Sequence, residues 1–215
     1  MKFRDKKKKF KLGLIIFGIL SFSALVLVVR YGDINFSHAL IEFARENEPV
    51  HSDARALSRY GNKIYHYLFA LFLVYGFLGR KNRKKKKYFK VALIYIVVQI
   101  IASGIAVTGL KVLVGRPRPG PAREEGFERK PFSSRTSYRS FPSGHSSDAF
   151  SSAGVIWMFS PSVPLMAASF VFSSFIAFSR ILADRHYMLD VVFGALIGFL
   201  TALVLMYKKY NEDGA

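Results

Sequence analysis

Cysteine is absent from this 215-residue chain, which excludes disulfides, thiolate catalysis and Cys-type metal sites and leaves the redox compartment open. Glutamine occurs once, at Gln99, and asparagine five times; amide poverty beside abundant lysine is a pattern of heat-adapted proteins, and one that an apolar membrane chain shares. Acidic residues are scarce as well, 14 against 32 Lys and Arg, giving a formal charge of +18. Such a charge points to nucleic acid when the cations line a groove interleaved with stacking aromatics. Here they stand in blocks between apolar runs, so no nucleic-acid partner is expected.

What the chain has in quantity is apolar residues, 51% of the total, with a mean hydropathy of +0.22. That is too apolar for most soluble domains of this length. At about 20 apolar residues per crossing, with shorter stretches accepted where snorkelling side chains flank them, about six spans are expected: residues 12–29, 62–79, 91–115, 146–160, 165–183 and 187–207. The expected fold is all-α, a polytopic membrane bundle formed by a single domain over residues 1–215. Pro161 and Pro164 put a tight turn between the fourth and fifth spans, which should be antiparallel neighbours.

Orientation follows from the cations. Lys2, Arg4, Lys6, Lys7, Lys8, Lys9 and Lys11 precede the first span, eight more lie between Arg80 and Lys90, and Lys208 and Lys209 follow the last. The positive-inside rule puts these blocks, and both termini, in the cytoplasm. The N-terminal apolar stretch is longer than the about 7–15 residues of a secretion signal and has no small-x-small cleavage site after it, so it is expected to stay as an anchor. The loop from Arg116 to His145 then falls on the opposite face, yet it carries Arg116, Arg118, Arg123, Arg129, Lys130, Arg135 and Arg139. An anionic ligand on that face would account for the exception.

Ionisable residues beside lipid are costly and mark functional sites by default. Three blocks qualify. His186 and Asp190 are four residues apart, so on one helix they share a face, and a carboxylate on one imidazole nitrogen leaves the other free as base or nucleophile. Pro142-Ser143-Gly144-His145 precedes an apolar helical run; a helix N-terminus with exposed N–H groups is an anion site, and His145 at its mouth is placed to protonate a leaving oxygen. Lys111, Arg118 and Arg180 supply three cations, and a phosphate monoester offers such guanidinium groups a bidentate partner. Each block alone has a plainer reading as helix cap, snorkelling lysine or interfacial histidine.

Taken in order, Lys111-x6-Arg118-Pro119, Pro142-Ser143-Gly144-His145 and Ser179-Arg180-x5-His186-x3-Asp190 resemble the three signature motifs of the type 2 phosphatidic acid phosphatase superfamily, with every signature position filled. The motifs lie within residues 111–190. The resemblance implies a membrane lipid phosphatase in which His186 attacks phosphorus, Asp190 orients it and His145 serves as general acid and then base. Lys111, Arg118, Arg180, Ser143 and the Gly144 N–H would hold the phosphoryl oxygens. It implies no metal and no cofactor, because the cations compensate the charge. The implied substrate is an envelope lipid phosphate at the periplasmic face of the inner membrane, lipid A 1-phosphate first, with undecaprenyl diphosphate or phosphatidylglycerophosphate as alternatives. The soluble haloperoxidases of the superfamily are a poorer match to so apolar a chain. A lipid-phosphate binding or transport protein is the non-enzyme alternative; it would need no aligned His186 and Asp190.

Among the remaining residues, His66, His38 and His51 have packing or interfacial roles as the simpler expectation. Trp157 reads as an interface anchor or core residue, and Gly194 and Gly198 as a close-packing face inside the bundle.

Overall fold

The computed structural model describes residues 3–212, all helix and loop with no strand among them. Lys2 therefore lies outside the described residues. The helices are α1 (Phe3–Tyr31), α2 (Asp33–Glu46), α3 (Glu48–Leu78), α4 (Arg83–Gln99), α5 (Thr108–Val114), α6 (Pro119–Glu125), α7 (Gly144–Phe159), α8 (Val163–Leu182) and α9 (Met188–Glu212), with a π-helical stretch, Ile100–Val107, joining α4 to α5. Local chemistry sets several boundaries. Asn82 caps α4 by accepting the Lys84 N–H at 2.9 Å, and Ser143 and Ser162 cap α7 and α8 in the same way. Gly115 ends α5 in the left-handed conformation at φ 56°, which glycine adopts without strain. The turn between α7 and α8 holds Pro161, as its sequence suggests, and the two helices pack together.

α7 is the centre of the molecule. Every residue from Ser146 to Met158 except Asp148 is buried, and α1, α3, α4, α8 and α9 all pack on it. A helix surrounded by protein shows no amphipathic stripe, which is why its 16 residues make a weak apolar run. Its hydroxyls stay satisfied inside: Ser152 Oγ donates to the Asp148 carbonyl at 2.8 Å, and Ser173 Oγ from α8 donates to that of Ala149 at 2.8 Å. α9 lies closest. A Cβ at Gly194 would fall 2.2 Å from the Ser143 oxygen and one at Gly198 2.0 Å from that of Ser147, so these glycines serve packing within the bundle. Trp157 is a core residue, its indole N–H donating to the Lys9 carbonyl at 2.9 Å. Phe17, Phe150, Phe170 and Phe199 fill the space between α1, α7, α8 and α9, with the Phe17 and Phe199 rings 4.6 Å apart.

Among the described residues three stretches are long and apolar enough to cross a membrane: Arg83–Ala122, Val163–Leu182 and Met188–Lys208. The first contains the third expected span, and the other two match the fifth and sixth to within two residues at each end. The other three, 12–29, 62–79 and 146–160, fall in α1, α3 and α7. Ile15, Ile19 and Phe22 on α1, Ile64, Leu71 and Val74 on α3, and Val171 and Phe175 on α8 point outward. Apolar surface on that scale is a lipid-facing surface, and this is a membrane protein. The segment around Phe36 to Phe43 is α2, an amphipathic helix whose Ile41 is fully buried against the bundle.

Candidate active site

The site lies where the N-terminus of α7, the C-terminus of α8 and the start of α9 meet. In the turn after α8, Asp184 stands at φ 58°, a left-handed conformation that Asp tolerates better than most residues. The backbone N–H groups of Arg185 and His186 fold back onto the Arg180 carbonyl at 3.0 and 3.2 Å. This turn delivers His186, 2% exposed, to Asp190 in the first turn of α9. α9 begins at Met188, so His186 sits just ahead of the helix and not on it.

Asp190 is fully buried and fully engaged. Its Oδ2 accepts the Ser140 hydroxyl at 2.5 Å and the Tyr187 N–H at 3.0 Å, and lies 3.5 Å from His186 Nδ1. Its Oδ1 accepts Arg116 Nη1 at 2.7 Å. Arg116 also donates to Asp33 of α2, whose other oxygen accepts the Leu189 N–H at 2.8 Å. The guanidinium lies over the Tyr187 ring, 4.4 Å from its centroid, so charge pairing and stacking both fix it. A buried carboxylate is tolerated on these terms: hydrogen-bonded and paired.

Beside this anchored carboxylate is a cavity of about 220 Å³ whose wall includes Arg118, Arg180, His145 and Ser58. Arg180 is 7% exposed; its Nη1 donates to the Ser58 carbonyl at 3.1 Å and to the Ser58 hydroxyl. The Nε atoms of Arg118 and Arg180 are buried without a partner. Lys111 donates to the Arg139 carbonyl at 2.8 Å, and a Cβ at Gly144 would come 3.9 Å from its Cε. Ser143 accepts the Ser146 hydroxyl at 2.9 Å, and its own N–H donates to the Asp190 carbonyl at 2.8 Å. The α7 N-terminus is thereby tied to α9. Asn62 of α3 donates to the His145 carbonyl at 3.0 Å.

Electrostatics match this layout. Burial, reinforced by the charges of Arg180, Lys111 and Arg118, pushes the His145 imidazole down to about 4. Burial also pushes His186 down to about 3, against the opposing pull of Asp190. Both rings are therefore neutral at pH 7 in the free site: His186 has its lone pair available, and His145 awaits an anion that can raise its affinity for a proton.

Arg118, Arg180 and His145 thus line one cavity; Lys111, Ser143, Gly144, His186 and Asp190 do not line it, His186 being joined to Arg180 through its backbone N–H and Asp190 to Ser143 through its carbonyl. Sequence reasoning missed Arg116, Ser140, Asp33, Ser58 and Asn62. The only hint of Arg116 was the excess of cations in a loop expected on the outer face; for this arginine the cause is two internal carboxylates and not a ligand. His66 is exposed, its ring held by Tyr95 at 2.7 Å and Asp148 at 3.2 Å. His38 stacks on Tyr187 and His51 lies 4.0 Å from Glu48. No group of three or more metal-ligating side chains gathers among the described residues.

The family model of the PAP2 superfamily matches residues 91–213. The chain belongs to this superfamily. Among curated relatives, the probable diacylglycerol pyrophosphate phosphatase 1 of Schizosaccharomyces pombe is 31% identical over 174 residues, 66% of this chain and 61% of that one. The lipid A 1-phosphatase of Rhizobium johnstonii is 32% identical over 132 residues, 56% and 52% of the two chains. The chain thus spans between half and two thirds of the length of these relatives. The crystal structure of Aquifex aeolicus LpxE aligns at 25% identity with a TM-score of 0.44, over 71% of this chain and 93% of that one.

Proposed function

We propose that the chain is a membrane lipid phosphatase that works through a phosphohistidine. His186 Nε2 attacks phosphorus while Asp190 holds the Nδ1–H side of the ring. The P–O bond to the lipid breaks, and the departing oxygen takes its proton from His145. Water, deprotonated by His145, then attacks the phosphohistidine, releasing inorganic phosphate and restoring neutral His186. Lys111, Arg118 and Arg180, with Ser143 and the Gly144 N–H, hold the equatorial oxygens as negative charge builds on them. Burial, reinforced by the cations, holds His145 deprotonated in the free site; a phosphate with nearly two negative charges offsets the cations and draws a proton to the ring.

The observation that carries this reading is the shared cavity of Arg118, Arg180 and His145 next to a buried histidine with a fixed carboxylate. Six spans in one domain are proposed with it, α1, α3 and α7 joining the three apolar stretches. The termini are placed in the cytoplasm and the site on the periplasmic face of an inner membrane. There an amphiphile would present its phosphate at headgroup depth. Lipid A 1-phosphate is the leading substrate, supported by the name of the Rhizobium johnstonii relative.

Phosphate release from purified lipid phosphates in detergent tests the reading. Turnover that disappears in His186→Ala supports it. Binding of the lipids without phosphate release would make the chain a binding or transport protein instead.

A further inference from the structure

The start of α9, which carries Asp190, has no cap ahead of it in its own sequence. A short oxygen-bearing side chain just before a helix normally accepts the orphan N–H groups of its first turn, and the residues before Met188 are His186 and Tyr187. Three successive N–H groups are nonetheless satisfied there. Tyr187 donates to Asp190 Oδ2 at 3.0 Å, Met188 to Ser37 Oγ at 2.8 Å and Leu189 to Asp33 Oδ1 at 2.8 Å. The first acceptor is the carboxylate beside His186. The other two belong to α2, 151 and 156 residues earlier in the chain.

α2 is patterned for this contact. Asp33, Ser37 and Ile41 stand at i, i+4 and i+8 on one face, and Ser37, Ile41 and Ala44 are its buried residues. His38 stacks on Tyr187, the ring centroids 5.9 Å apart. At the far end of α2, Arg45 pairs with Asp184 at 2.6 Å. The turn from Asp184 to Leu189 is therefore gripped by α2 at both ends, with His186 between the grips. α2 also lies ahead of residue 91, where the match to the superfamily begins, so that match assigns it no part.

We infer that Asp33 and Ser37 are positioning residues: by capping α9 from α2 they set where Asp190 stands, and through it His186. The cations that hold phosphate are anchored elsewhere, Arg180 on Ser58 and Lys111 on the Arg139 carbonyl. Loosening the α9 start thus displaces the nucleophile and leaves those cations in place, so that phosphoryl transfer slows while phosphate binding holds. The inference rests on the phosphatase reading for its chemistry and adds two residues and one helix to it.

Ser37→Ala removes one acceptor and no charge. Asp33→Asn keeps an amide oxygen for the Leu189 N–H and removes the charge facing Arg116, and Glu42→Gln on the exposed face of α2 is the control. With the full chain in detergent, calorimetric titration with inorganic phosphate counts competent sites, and kcat for a lipid phosphate is expressed per site. It should fall about tenfold in Ser37→Ala and in Asp33→Asn, inside the roughly hundredfold that a misplacement of about 1 Å can cost. KM and the Kd for inorganic phosphate should stay within twofold of the parent, and Glu42→Gln should match the parent throughout. In nitrogen NMR of histidine-labelled protein, with His186 and His145 signals assigned by their loss in the alanine variants, Ser37→Ala should shift His186 and leave His145 in place. A kcat per site within twofold of the parent in both variants, or a loss matched by equally weakened phosphate binding, overturns the inference. If the parent releases phosphate from no lipid tested, the phosphatase reading fails on its own and the spectrum decides: a shift confined to His186 supports the positioning role, and unmoved His186 signals overturn it.

Discussion

Two arginine-bearing regions meet at the same end of the bundle and are built on opposite terms. Arg116 is enclosed by Asp190, Asp33 and the faces of Tyr187 and Phe127, so its charge is matched inside the protein. Arg118, two residues further on, and Arg180 face a cavity with no carboxylate in its wall; the buried Nε is without a partner in all three arginines, so the contrast lies in the carboxylates alone. A paired buried arginine fixes geometry, since its partners have compensated its desolvation. An unpaired one stores a demand for an anion. In the proposed mechanism the first region aims His186 and the second receives the phosphoryl group, though Arg116 and Arg118 belong to one short sequence motif.

The largest expected effect comes from removing what the first region aims. His186→Ala should lower kcat by at least about 10⁴-fold, with the fold retained, as read by phosphate release and thermal midpoint in detergent. Asp190→Asn should share most of that loss, because an amide no longer balances Arg116 or holds the Nδ1–H of His186. Substantial turnover in His186→Ala would remove the covalent route.

Next in size is Arg116→Ala, which leaves Asp190 and Asp33 buried without their cation. Breaking a buried pair on one side costs on the order of 3–5 kcal/mol. The thermal midpoint should fall by several degrees, and activity should fall with it. The two regions differ as argued only if Arg180→Gln does the reverse: loses about 10²- to 10³-fold in kcat with a smaller fall in thermal midpoint than Arg116→Ala, since Ser58, and no carboxylate, loses a partner and repulsion from Arg118 and Arg185 is relieved. Arg180→Gln carries a second signature. Removing a cation beside His145 favours the protonated ring, so its titration, followed by NMR in the free protein, should move upward from about 4. Unchanged titration would separate Arg180 from His145.

The helical, membrane character and the candidate site residues were legible in the sequence because they depend on local patterns: apolar runs, a Ser cap, and His186 four residues before Asp190. What was not legible depends on contacts across the chain. Arg116 is one cation among seven in its loop until α2 brings Asp33 to it from 83 residues away. Ser58 and Asn62 look like ordinary polar residues of α3 until packing turns that face toward α8 and α7. α7 gave a weak apolar signal for the opposite reason: enclosed by other helices, it carries serines where a lipid-facing helix carries leucines. Burial, and not composition, decides what such a residue does.

The smallest expected effect is that of a chelator. In the proposed site Lys111, Arg118 and Arg180 compensate the phosphoryl charge, the task that a divalent ion performs in two-metal phosphatases. EDTA should therefore leave the initial rate within about twofold. Added magnesium should inhibit weakly if at all, because pairing with the lipid phosphate lessens its attraction to a cationic cavity. Strict dependence on a divalent ion would mean that the unpaired arginines do not carry the electrostatic load, and the division between an aiming region and a receiving region would have to be redrawn around the metal.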